Sequence, residues 1–270
     1  MKTYLGVATT LALLFLLAVL AAAAQQRAQG TQPAQPTVNP EIEAVQTILQ
    51  MNDPQQRLTL VDQFLAEYPA SQFRGTVLLA AAEAHRMQND YDQAVEYGER
   101  ALAINPRDAI SLILVADSLS EGTHPNQADY EKKLNKAEEY SRRALAILPE
   151  LFASVPHRPD VPEEQYKLRE NYMEAQVHAT LGFVYYRRKK FDDAEKELKL
   201  ATDMNQLRPN AADYERLGVV QLEQKKYQEA KANFQRCQEL GGVAFETCAK
   251  RIERVDKMLG TEPAPTPPQE

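Results

Sequence analysis

Cys237 and Cys248 are the residues best placed for covalent chemistry, and they are the only two cysteines in the chain. They flank a Gly241-Gly242 pair, Cys237 four residues before it and Cys248 six after. Oxidised, they would staple two neighbouring helices together, which an exported compartment permits. The other reading is a pair of small buried thiols, since free cysteine packs readily in cores. No Cys-x-x-Cys spacing marks a redox couple. The four histidines, His85, His124, His157 and His178, are scattered, without the His-x-x-x-His or His-Glu-x-x-His spacing of a zinc site. His85 and His178 fall in helical stretches and read as packed or hydrogen-bonded residues rather than general bases. Ser120 and Ser141 have neither a nucleophile elbow nor a nearby histidine. There is no glycine-rich phosphate loop, and the carboxylates are interleaved with Lys and Arg as on solvated helix faces. Catalysis needs convergent groups. None converge in this pattern, so the expectation is a protein that is not an enzyme and uses no cofactor and no metal.

Charge narrows the partners. Acidic residues number 38 against 31 Lys and Arg, for a net charge of -7. The longest cationic block is Arg187-Arg188-Lys189-Lys190, which reads as a solvated turn between helices. Nucleic acid is therefore not an expected partner.

The N-terminus carries an export signal. Lys2 precedes an apolar stretch from Leu5 to Ala24, and Ala22 and Ala24 form the Ala-x-Ala arrangement that signal peptidase accepts. The stretch is also long enough to span a bilayer uncleaved. Residues 1–24 are thus a signal peptide or signal anchor, and the body is expected to be periplasmic or anchored in the inner membrane facing the periplasm. Residues 25–40 lack apolar periodicity and read as a flexible linker. Residues 261–270 hold four prolines and read as a disordered tail. The folded domain is placed at 41–260.

The elements that fill this domain show in an internal period. Tyr91/Ala94/Ala101, Leu134/Ala137/Ala144, Phe191/Ala194/Ala201 and Tyr227/Ala230/Cys237 each set a bulky residue three before an Ala and a small residue seven after it. Intervals of three, four and seven return to one helix face, so each copy is an amphipathic helix. Upstream of each lies a helix with its own small residue: Ala82, Ala116, Gly182 and Gly218. Three of these lie 12 residues before their partner Ala, and the fourth lies 21 before it, 12 plus an insertion of nine. Small residues at matched depth let two antiparallel helices approach closely. Such hairpins bury their apolar faces only by stacking. Residues 41–69 read as a degenerate preceding hairpin. Val243 to Leu259, with Phe245, Ile252, Val255 and Leu259 at helical spacing, reads as a C-terminal capping helix. Glu121–Asp129 and Leu151–Val161 read as inserted loops, the second followed by a long helix from about Pro162 to Arg187.

These residues resemble the tetratricopeptide repeat family. Leu181, Gly182, Tyr185, Phe191, Ala194 and Ala201 match its pattern, as do Leu217, Gly218, Tyr227, Ala230 and Phe234. A third copy is Leu78, Ala82, Tyr91, Ala94, Ala101 and Pro106. No first-helix Trp occurs, Gly98 stands where an aromatic is usual, and Cys237 replaces a small Ala. The resemblance covers about 71–242. It implies an all-α, right-handed solenoid of antiparallel helix hairpins, with about four to five repeats plus the cap. It also implies a concave groove lined by Leu79, Glu83, Arg86, Ile113, Asp117, Ser120, Ala179, Phe183, Tyr186, Glu215, Val219 and Leu222. The Lys and Asn with which some members clamp a chaperone's terminal carboxylate are missing from those places.

Two functions follow as expectations. The first is a protein–protein interaction scaffold in the bacterial cell envelope, holding a partner peptide or helix in this groove. The second is a self-assembling or carrier protein for a lipid or cell-wall fragment. Partners are proteins of unstated identity, with a membrane only through the N-terminal segment if it is retained.

Overall fold

Helix formers dominate the chain, and several of the tight turns are punctuated by a side chain that caps the next helix. Asn39 accepts from the amide of Glu41 at 3.0 Å, Asp53 from Gln56 at 2.7 Å, Asp90 from Gln93 at 3.3 Å and Asn210 from Ala212 at 3.1 Å. These are the amides that a helix start leaves unpaired. The computed structural model describes residues 39–158, 160–206 and 208–261. The readings of residues 1–24, of the linker before Asn39 and of the tail after Thr261 lie outside the described residues.

Among the described residues every regular element is helical. The elements are α1 (Pro40–Gln50), α2 (Pro54–Glu67), α3 (Arg74–Met87), α4 (Tyr91–Ile104), α5 (Ala109–Gly122) and α6 (Tyr130–Ser154). They continue with α7 (Glu163–Arg187), α8 (Phe191–Met204), α9 (Ala211–Glu223), α10 (Tyr227–Leu240) and α11 (Phe245–Thr261). A single 3-10 turn, Gly242–Ala244, precedes α11. The described residues divide into two compact units, one ending at Ser118 and the other beginning at Leu119, with the boundary inside α5.

In the first unit α1 packs on α2, α2 on α3 and α3 on α4. Its core gathers Val45, Ile48, Val61, Phe64, Phe73 and Val77. Gly98 is a requirement of this packing. A Cβ there would lie 2.3 Å from Cγ2 of Val115, so the missing aromatic reflects a close approach of α4 to α5.

In the second unit α6 pairs with α7, α7 with α8, α9 with α10, and α10 with α11. The close approach inferred from the small residues is present here. A Cβ on Gly182 would meet Leu198 Cγ at 2.6 Å. The capping helix closes a core of Ala230, Phe234, Cys237, Ala244, Cys248 and Val255.

Three hairpins share one turn. Asn89, Lys189 and Lys225 have φ of 59°, 58° and 62° and sit between α3 and α4, α7 and α8, and α9 and α10. The next amide reaches back to a helix carbonyl each time: Asp90 to His85 at 2.9 Å, Lys190 to Tyr185 at 2.9 Å and Lys226 to Gln221 at 2.8 Å. This pattern satisfies the carbonyls a helix end leaves free.

The loop read at 151–161 is corrected. Helix α6 continues through Pro149 to Ser154, so only 155–162 lie between α6 and α7. Pro149 lacks an amide donor, and burial of Leu148 beside it holds the helix together across that gap. The short connection is pinned by Tyr166, whose hydroxyl accepts from the Arg158 amide at 2.8 Å while His157 stacks on the ring at 4.1 Å.

Candidate partner-binding face

The first helices of the hairpins present the residues that the repeat pattern marks as a groove, and many of them are already engaged. In the first unit Arg57 on α2 pairs with Glu83 on α3 at 3.4 Å, and Arg86 on α3 pairs with Asp117 on α5 at 3.4 Å. Burial raises the Glu83 carboxyl, and the charges of Arg57 and Arg86 oppose that rise. Burial likewise lowers the Arg57 guanidinium against the pull of Glu83. This ladder fixes successive helices to one another and uses Glu83, Arg86 and Asp117 to do so. Leu79 is half-buried beside it. Ile113 is 8 % exposed and has no surface to offer a partner, so it leaves the candidate set.

The second unit sorts its candidates further. Ser120 is fully buried and Ala179 nearly so. Glu215 receives Arg251 of the capping helix at 3.0 and 2.8 Å. Val219 and Leu222 pack against the cluster of Phe234, Cys237 and Val255. The capping helix therefore takes part of the surface that the repeat pattern assigned to a ligand.

Phe183 and Tyr186 stand apart by their ring contacts. Both are half-buried on α7, with ring centroids 6.2 Å apart and planes inclined by 16°. Tyr186 also meets the ring of Phe191 on α8 at 6.3 Å. Two guanidiniums lie over the Phe183 ring, Arg187 at 4.6 Å and Arg216 at 4.5 Å. Such contacts are cation–π interactions, worth about 0.5–1 kcal/mol each where solvent reaches them. Arg216 is held in place by ion pairs with Glu121 and, at 4.0 Å, with Asp213. The outcome is a small aromatic platform with its rotamers fixed by charged neighbours.

Arg187, Arg216 and Phe191 do not stand out as site residues in the sequence. Arg187 follows Phe183 by four residues and so shares its helix face, a signal that was available. Arg216 is 33 residues away on another helix and carried none.

Three cations of the four-residue block have separate partners. Arg187 lies on Phe183, Arg188 pairs with Glu138 at 2.5 Å and Glu131 at 3.4 Å, and the Lys190 ammonium sits 6.0 Å from the Tyr185 centroid. Glu138 also accepts from the Tyr185 hydroxyl at 3.0 Å and from Arg142 at 2.8 Å. Burial would raise the Glu138 carboxyl, but these donors hold it below the usual range. The pattern tyrosine of the repeat is thus part of the bond between α6 and α7.

The histidines and cysteines are structural in their placement. His178 Nδ1 lies 2.6 Å from Glu197, and His85 stacks on Tyr97 at 5.1 Å. Among the described residues no group of His, Cys, Asp or Glu could hold a metal ion. Cys237 and Cys248 are joined in a disulfide, both fully buried, with 11 residues of separation.

The tetratricopeptide-repeat family model matches residues 75–108 and again residues 214–240. TTC0263, a thermophilic TPR protein of Thermus thermophilus, is 18 % identical with a TM-score of 0.56. That match covers 80 % of this chain and 99 % of the other. PilW, described as a widely conserved type IV pilus biogenesis factor, is 16 % identical with a TM-score of 0.54, covering 88 % of this chain and 97 % of its own. At such identities the likeness is one of fold. No curated protein matches the chain. Repeats of this kind indicate a protein–protein interaction scaffold. The chain thus carries tetratricopeptide repeats at two places, each within consecutive packed helix hairpins of its own unit.

Proposed function

We propose that the chain is an exported, non-enzymatic scaffold of a bacterial-type cell envelope that holds a partner's extended peptide or helix on the platform of Phe183 and Tyr186. The observation that carries this reading is the half-buried Phe183 ring with the Arg187 and Arg216 guanidiniums over it. Aromatic and Arg side chains supply most hot spots of protein interfaces. Side chains already fixed by their neighbours lose little freedom when a partner arrives, which favours binding.

Three features support export. Leu5 to Ala24 is predominantly apolar, Ala22 and Ala24 suit signal peptidase, and the Cys237–Cys248 disulfide suits an oxidising compartment. Among the described residues no helix is long and apolar enough to cross a membrane. Any anchoring in this reading therefore rests on residues 1–24.

The direct experiment is photocrosslinking in intact cells from a probe placed at Tyr186, followed by identification of what is captured. A single protein whose capture is lost in Phe183→Ala supports the reading. Capture that is indifferent to Phe183 counts against it.

A further inference from the structure

The first hairpin carries a second surface with a different chemistry. Residues 40–67 hold five carboxylates, Glu41, Glu43, Asp53, Asp62 and Glu67, against one cation, Arg57. That is a formal charge of -4 out of the chain's -7. Arg57 does not offset it at the surface. It is 3 % exposed and bonded to the Met51 carbonyl at 2.9 and 2.6 Å and to Glu83 at 3.4 Å.

A groove runs between α1 and α2 on this hairpin. Ala44, Leu60, Phe64 and Tyr68 make it apolar, and Glu43 and Glu67 stand along it. The rings of Phe64 and Tyr68 meet at a tilt of 40°, with centroids 5.0 Å apart. No described Lys or Arg pairs with Glu43 or Glu67. One carboxylate oxygen of Glu41 is shut off from solvent without a hydrogen-bond partner. The Tyr68 hydroxyl is pushed up by its hydrogen bond to Glu67, then by burial and the charges of Glu67 and Glu41, which marks the negative field at that end of the groove.

We infer that this groove docks a cationic, amphipathic segment of a partner protein, its Lys or Arg side chains meeting Glu43 and Glu67 and its apolar side chains lying on Ala44, Leu60 and Tyr68. The charge is what selects the occupant. An uncharged apolar segment would leave Glu43 and Glu67 facing it without a counter-charge, which complementary interfaces avoid. This surface is independent of the Phe183 platform and stands or falls separately.

The test uses the full chain and a fluorescent peptide of alternating Leu and Lys, read by anisotropy. The peptide should bind, and its counterpart with Gln for Lys should not. Glu43→Gln with Glu67→Gln should weaken binding roughly tenfold without lowering the melting temperature, as expected when a close charge pair is lost. A control pair of equal charge, Glu246→Gln with Glu253→Gln on exposed positions of α11, should leave affinity unchanged. Absence of binding overturns the inference. So does an equal loss in the control pair, which would make the attraction diffuse. A gain in affinity on deleting residues 25–38, which carry Arg27, also overturns it, because the chain's own segment would then be the occupant.

Discussion

Lys226, just before α10, donates to the buried carboxylate of Glu195 on α8, and so ties one hairpin to the next. Lys199 approaches the same group at 2.8 Å and Gln221 donates at 3.2 Å. Burial alone would raise the Glu195 carboxyl, but these three donors hold it at about 2. The folded value lies below the unfolded value of about 4.3, so the stabilisation is complete above that value and is lost as pH falls toward 2. Glu195→Gln is expected to cost up to about 3 kcal/mol at neutral pH. Melting temperatures of the two proteins measured from pH 7 to 2 should converge on acidification; parallel curves would count against this account.

Gly98 predicts a steric effect. With Val115 Cγ2 2.3 Å from the position of an added Cβ, Gly98→Ala should destabilise by about 1–3 kcal/mol despite the better helix propensity of Ala. Adding Val115→Ala should return part of that loss, because it removes the clashing methyl. Chemical denaturation of the single and double variants checks this, and additive losses would refute the contact.

The disulfide gives a third prediction. Closing a loop of this length stabilises by about 3 kcal/mol in the chain-entropy model, less any strain. Replacing Cys237 and Cys248 by Ser should lower the denaturation midpoint accordingly and loosen α11 first, seen as faster amide exchange there. Two titratable thiols in the unfolded, non-reduced, natively exported protein would exclude the bond.

The hairpins were legible in the sequence because their cause is local. Close approach needs small residues at matched depth, and Ala82/Ala94, Gly182/Ala194 and Gly218/Ala230 keep one spacing of 12. The passage of α6 through Pro149 was not legible, since proline signals a helix end and only the packing of Leu148 reverses that. Nor were the shared turns, where Lys189 and Lys225 take a conformation that sequence reading reserves for Gly or Asn. For the site, the repeat register identified helix faces but not what would cover them. Ile113 is buried, Val219 and Leu222 pack half-buried against the cap-side core, and the contact of Arg216 with Phe183 joins residues 33 apart.

Placement in the cell is testable by fusion. A reporter enzyme active only outside the cytoplasm should work when joined after Glu270, and a cytoplasm-only reporter should not. The reverse pattern would refute export. N-terminal sequencing of the purified protein separates the two forms: a start near Gln25 means cleavage, and a start at Met1 means a retained anchor.

The proposal that Phe183 and Tyr186 hold a partner is tested most directly by pairing one melting curve with one capture measurement on the Phe183→Ala, Tyr186→Ala variant. An aromatic removed from a packed core costs about 3–5 kcal/mol of stability. An aromatic removed from an interface hot spot costs about 2 kcal/mol or more of affinity. Because both rings are only half-buried, the account predicts a melting loss smaller than that of a core truncation together with at least roughly a thirtyfold loss of capture of the crosslinked partner. A large melting loss, or unchanged capture at unchanged stability, would contradict the account.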